Sequence, residues 1–321
     1  MNKPYYEKFR LKVEVAMCED DAPASVAVRH ESEAAEVRQI WSSLGLPGII
    51  DVHTHFMPKS VLDKVWKYFD SAGPLVGRQW PIAYRADETR RLDTLRRFGV
   101  RQFTALVYPH KPRMAAWLNQ WAAQFAANTS DCLSTATFYP EPQAPEYVSA
   151  AIHGGTRVFK AHLQVGRYDP NDPLLDHVWG IVDDARVPVI IHCGSGPVAG
   201  EFTGPEPIRR LLRRHPRLRL IIAHMGMPEY AAFFALCEQY EDVRLDTTMA
   251  FTSFVEETMP FPPSLRQRLP RLGDRILFGS DFPNIPYRYS HALMSLSRLP
   301  GVDDGWLRAV LYDNAATLFG C

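Results

Sequence analysis

The chain has 321 residues, and its 36 Lys and Arg balance 36 Asp and Glu, so the formal net charge is zero. With 46% hydrophobic and 22% charged residues it has the composition of an ordinary globular protein. Without a basic stripe or an apolar run of membrane-spanning length, nothing points to nucleic acid or a membrane as partner; a small-molecule substrate is the expectation.

The N-terminus lacks the apolar core of a signal peptide. The cysteines, Cys18, Cys132, Cys193, Cys237 and Cys321, are scattered and odd in number, which suits reduced thiols and a cytoplasmic location. Residues 1–46 are polar, with a helical patch over Glu33–Leu44, and read as an N-terminal arm that packs on the main domain or on a second subunit of a homodimer. Gly45 and Pro47-Gly48 then punctuate the chain. Residues 47–321 form the main domain.

From there short branched or apolar runs alternate with helical segments. Candidate strands are Ile49–Val52, Gln102–Tyr108, Leu133–Phe138, Arg157–His162, Val189–His192, Leu220–His224, Arg244–Thr247 and Ile276–Ser280. Candidate helices are Met114–Ala127, Leu174–Ala185, Pro207–Arg214, Glu229–Tyr240 and Phe254–Arg268. Strands joined by helix-sized crossovers pair in parallel, and eight such units close into an α/β fold of the (β/α)8 TIM-barrel type. A doubly wound dinucleotide fold lacks its Gly-x-Gly-x-x-Gly. The long connection Phe56–Val100 has room for an extra helix and a lid.

In such a barrel the C-terminal strand ends surround the active site. They carry His53 and His55 on the first strand, Lys160 and His162 on the fourth, His192 on the fifth, His224 on the sixth and Asp281 on the eighth. In an extended segment the i, i+2 pair His53-x-His55 projects both imidazoles to one face, and two imidazoles can share a divalent cation. One histidine ending one strand is more often a hydrogen-bonded core residue. His53, His55, His192 and His224 with Asp281, ending four strands on one rim, point instead to a shared ligand.

His53-x-His55, Val-Ile-Ile-His192, Ile-Ala-His224-Met-Gly and Gly279-Ser280-Asp281-Phe-Pro resemble the amidohydrolase superfamily. More narrowly they resemble its amidohydrolase-related branch, which includes aminocarboxymuconate semialdehyde decarboxylase, γ-resorcylate decarboxylase and a pyrone dicarboxylate lactonase. The resemblance covers roughly residues 49–319. It implies that His53, His55, His192 and Asp281 bind one divalent ion, zinc or else manganese. The ion lowers the pKa of water and polarises a substrate oxygen. Asp281 then serves as general base, and His224 orients the nucleophile or protonates the product.

In binuclear relatives a carboxylated lysine on the fourth strand bridges two metals. Lys160 stands where that lysine would; the alternatives are an ion-paired lysine or one that holds an anionic substrate. The decarboxylase-like branch is mononuclear, so one ion and an unmodified Lys160 are expected. Further candidates for substrate contact are His162, Tyr139, Arg85 and Arg167, with Tyr108, His110, Glu141, Tyr287 and Arg78 behind them. An arginine among them would grip a carboxylate bidentately. The functional expectation is a metal-dependent hydrolase of an amide, ester or lactone bond in a small carboxylated or cyclic substrate. The alternatives are a non-oxidative decarboxylase (a carbon–carbon lyase) and a catalytically silent barrel that binds a small acid.

Overall fold

The computed structural model describes residues 23–321; the first part of the N-terminal arm, with Cys18, lies outside the described residues. Helix α1 (Pro23–Ser43) is followed by nine short strands: β1 (Ile49–Asp51), β2 (Val100–Thr104), β3 (Cys132–Leu133), β4 (Thr135–Thr137), β5 (Val158–His162), β6 (Val189–His192), β7 (Leu220–Ile222), β8 (Val243–Asp246) and β9 (Ile276–Leu277). Strands β1 to β3 pair in one parallel sheet and β4 to β9 in another. β3 and β4 are two halves of one barrel position, divided at Ser134. The ring closes where the Val52 amide donates to the Phe278 carbonyl at 2.9 Å and Thr54 bridges Phe282 in parallel. The expected (β/α)8 barrel is therefore present.

The strands are apolar because both faces are covered. Ile50, Leu133, Val158, Ile190, Ile221 and Leu277, one from each of six barrel positions, belong to a single buried cluster. Side chains from six strands meet only inside the barrel, so its lumen is packed rather than open. Ala315 and Phe319 of the last helix, Asn314–Phe319, join the same cluster.

The long connection after β1 carries the extra helix Lys59–Ser71 and a loop through Trp80 and Tyr84. That loop lies on the segment following β9: Trp80 Nε1 donates to the Asn284 carbonyl at 2.7 Å, and the Ala83 amide to that of Ile285 at 2.9 Å. The expected helix Phe254–Arg268 does not form. Single turns at Ser253–Glu256 and Pro263–Arg266 take its place, because Pro260, Pro262 and Pro263 offer no amide hydrogen to continue a helix. The described part of the arm packs on the barrel through buried Ala34 and Val37, and through the Trp41 indole donating to the Phe98 carbonyl at 2.9 Å. No described helix is long and apolar enough to cross a membrane.

Candidate metal centre

His53 and His55 leave β1 with ring centroids 5.2 Å apart, and both aim Nε2 at Asp281 Oδ1, at 3.7 and 2.9 Å. Each ring is held from behind. His53 Nδ1 lies 2.8 Å from Asp246 Oδ2, and His55 Nδ1 lies 2.9 Å from the Leu106 carbonyl oxygen. Carboxylates and carbonyls only accept, so Nδ1 carries the proton in both rings and the Nε2 lone pairs face inward. At His55 this sets a lone pair against a carboxylate oxygen at 2.9 Å. Two acceptors meet at that distance only when a proton or a cation lies between them. Among the described residues, the donor atoms of His53, His55 and Asp281 all lie within 4.8 Å of one another, and all three residues are buried. The donor set fits a divalent cation: imidazoles with fixed tautomers and one carboxylate.

Two of the key side chains depend on unusual backbone. Asp281 has φ 72° and His224 φ 55°, in the left-handed region where few non-glycine residues sit and Asp and His are enriched. The Asp281 amide donates to the His53 carbonyl at 2.8 Å, and the His224 amide to Asp246 Oδ1 at 2.9 Å. Gly279 allows the chain of Asp281 to come this close, since a Cβ there would lie 2.6 Å from the His53 Cβ and would also strike Thr248.

Burial acts to raise the Asp281 carboxyl, but contact with His55 and the nearby imidazoles of His53 and His224 outweigh it and hold it well below the usual carboxylate range. Burial, reinforced by the charge of Lys160, pushes His53 down to about 3. Burial likewise lowers His162, His192 and His224. At neutral pH His53, His162, His192 and His224 are therefore neutral imidazoles beside an ionised carboxylate.

The remaining rim residues fall into two groups. His162 and His192 are register partners on β5 and β6, so their rings point the same way and stack with centroids 4.1 Å apart. His192 packs edge-on to His224 at 4.8 Å, with Nε2 3.1 Å from the Gly196 carbonyl oxygen, outside the tight trio. Lys160 is fully buried, its amine 3.0 Å from His53 Nε2 and pushed down by burial to about 8. His224 Nδ1 lies 3.2 Å from the Thr248 carbonyl oxygen, which leaves Nε2 as acceptor. Tyr108 packs against both His55 and His162. The Tyr287 phenol, raised by burial and then by the charge of Asp281, is also at the mouth.

Other sequence candidates are engaged elsewhere. Arg85 is exposed and pairs with Asp70 at 2.5 Å. Arg167 and His110 are exposed. The Tyr139 hydroxyl donates to the Gly166 carbonyl at 3.1 Å, and Glu141 accepts from the Arg113 amide at 2.7 Å. Arg78 stacks 3.9 Å over the Phe254 ring and lines a small cleft with Trp80, Pro197 and Met227. A shallow depression of about 460 Å³ by Arg96 and Asp131 sits at the N-terminal end of β2, away from this chemistry.

Asp246 was not anticipated, although a carboxylate ending the strand Arg244–Thr247 was a visible signal. Its carboxylate receives three donors: His53 Nδ1 and the amides of His224, at 2.9 Å, and Thr248, at 3.1 Å. An amide in its place must turn its NH2 toward one of them. Asp246→Asn is expected to weaken metal binding by ~10–100-fold, as the loss of such an outer partner typically does, while the variant stays folded. Competition against a chromophoric chelator measures it, and unchanged affinity would remove Asp246 from the centre.

A family model described as Amidohydrolase matches residues 50–321. The chain belongs to the amidohydrolase family. No curated protein matches the sequence. Among solved structures, an uncharacterised TIM-barrel protein from Bordetella bronchiseptica superimposes with a TM-score of 0.69 at 18% identity, covering 85% of this chain and 98% of that one. A 5-carboxyvanillate decarboxylase from Novosphingobium aromaticivorans, complexed with manganese and a nitrobenzoic acid, gives 0.56 at 14% identity over 86% and 97%. A protein from Pseudomonas putida, described as a candidate 2-pyrone-4,6-dicarboxylic acid hydrolase, gives 0.56 at 17% identity over 85% and 98%. These likenesses establish the barrel. The family establishes an enzyme of the metal-dependent hydrolase or decarboxylase type, and a divalent metal agrees with the buried His-His-Asp group.

Proposed function

We propose that this amidohydrolase is a hydrolase of a small, carboxylated or cyclic substrate, cleaving an amide, ester or lactone bond. The reading is carried by the facing acceptors, His55 Nε2 and the ionised Asp281 carboxylate at 2.9 Å. They are the two halves of a cation site with a base built into it. His53, His55 and Asp281, joined by His192, would hold the ion, with zinc the choice of an imidazole-rich set and manganese the alternative. When bound, the ion supplies Lewis acidity and lowers the pKa of water. Asp281 offers one oxygen toward His55 and keeps the other to take a proton. His224, neutral and with Nε2 free to accept, orients the attacking water or carries the proton to the leaving group.

Lys160 donates to the lone pair of His53 that a cation needs, so the two compete for it. Lys160 in this reading remains unmodified and serves beside a single ion. Arg78, at the cleft by Trp80, pairs with Glu257 at 3.0 Å and would exchange that carboxylate for a substrate's to act as its grip.

Decarboxylation uses the same residues, and the manganese-bound relative acts on a carboxylated aromatic ring. Turnover of a panel of lactones and carboxylated aromatics in water enriched in heavy oxygen separates the two. The expected result is label in the organic product. Release of carbon dioxide with no label in that product overturns hydrolysis.

A further inference from the structure

Helix α1 precedes the region matched by the family model, yet it buries a carboxylate. Glu33 is 3% exposed and sits among partners from two distant parts of the chain. Its Oε1 accepts from the Tyr84 hydroxyl at 2.7 Å and from the Ser290 amide at 3.1 Å. A buried carboxylate is costly unless it is hydrogen-bonded, and the first turn of the helix Tyr289–Ser297 supplies both an amide donor and a favourable dipole.

Two paths lead from this group to the metal centre. Tyr84 stands in the loop after β1, accepts from the Tyr289 amide at 2.6 Å and packs its ring 4.9 Å from that of Phe282, the residue after Asp281. Tyr289 donates its hydroxyl to Asp51 Oδ2 at 2.9 Å. Asp51 Oδ1 in turn accepts from the amides of His53, at 3.2 Å, and Ser280, at 3.1 Å. Every residue of this chain from Glu33 to Asp51 is buried. It ends on the backbone of one histidine and on the residue before Asp281.

We propose that Glu33 is a positioning residue for the metal centre, so that helix α1 is a working part of the catalytic unit rather than an appended arm. Glu33 clamps the loop after β1 onto the segment after β9, and through Tyr289 and Asp51 it holds the backbone that presents His53 and Asp281. The inference rests on the reading of those two residues as ligands, and it concerns their geometry rather than the reaction.

The test uses the full chain and four variants: Glu33→Ala, Glu33→Gln, Tyr84→Phe and Val37→Ala. Val37 is fully buried on the same helix and makes no part of the hydrogen-bonded chain, so its truncation weakens the packing of α1 alone. Hydrogen exchange of the segments around His53 and Asp281 is the first readout, taken by mass spectrometry. Exchange there is expected to quicken by about tenfold or more in Glu33→Ala and Tyr84→Phe, and to stay within about twofold in Glu33→Gln and Val37→Ala. Gln keeps an oxygen that accepts from both the Tyr84 hydroxyl and the Ser290 amide, and gives up only the longer ion pair of Oε2 with Arg288 at 3.9 Å. The second readout is the affinity for zinc and for manganese, expected to fall by ~10-fold in Glu33→Ala and to be rescued in Glu33→Gln. Tyr84→Phe retains the ring against Phe282 and decides the matter if Glu33→Ala does not fold. Equal effects of Val37→Ala and Tyr84→Phe would reduce Glu33 to a packing role and overturn the inference, as would unchanged exchange in Tyr84→Phe. Loss of protection in Glu33→Ala from a chain that binds neither metal would instead overturn the metal reading and leave the clamp standing.

Discussion

His53→Ala/His55→Ala is expected to leave the purified protein without a divalent ion, where the native chain is expected to carry one per subunit. A bound ion contributes several kcal/mol of transition-state stabilisation. About 5 kcal/mol corresponds to a fall of roughly 10³–10⁴-fold in kcat/KM. The physical reason is that both Nε2 lone pairs converge on Asp281 and each ring is locked from behind, by Asp246 and by the Leu106 carbonyl. Elemental analysis of protein prepared without chelator reads the first effect directly. Full occupancy in the double variant would show the assignment to be wrong, and two ions per native chain would move His192, His224 and Lys160 onto a second site.

The second large effect belongs to Asp281→Asn. The substitution keeps the shape, and Asn is among the few residues that tolerate the φ of 72° found here, so the backbone has no reason to shift. What is lost is the charge. The amide cannot take a proton from water, and it gives His55 Nε2 a donor in place of an anionic partner. A fall in kcat of ~10²–10⁴-fold is expected, the usual contribution of a positioned general base, with thermal stability near that of the native chain. Steady-state kinetics beside a melting curve separates this from misfolding. A kcat within about tenfold of the native value would take the base role away from Asp281.

Asp246 and Glu33 place these two effects in a wider setting. Both carboxylates are buried and neither faces the mouth as a ligand, yet both lie one or a few hydrogen bonds from His53. Orientation of imidazoles by outer acceptors is a general requirement of metal sites. In this chain it draws on β8, on the loop after β1 and on the N-terminal helix together.

The barrel and the rim histidines were legible in the sequence because both are periodic. Eight branched runs spaced by helix-length segments admit one closed parallel arrangement, and a polar residue ending a buried run must lie at a strand terminus. The pair His53-x-His55, the strand-ending His192 and His224 and the Gly279-Ser280-Asp281 turn together carried the resemblance to the family, which the family model over residues 50–321 bears out. Tertiary structure decided the rest. Asp246 partners a histidine 193 residues away, Tyr289 partners Asp51 across 238, and Glu33 partners Ser290 across 257. No local period carries such pairs; they exist only once the ring closes and the first and last strands become neighbours. The left-handed turns at His224 and Asp281 belong with them, because the hydrogen bonds that hold those residues there come from other strands. The helix expected at Phe254–Arg268 failed for the opposite reason. Its three prolines were in plain view, and the missing amide hydrogens outweighed the apolar pattern.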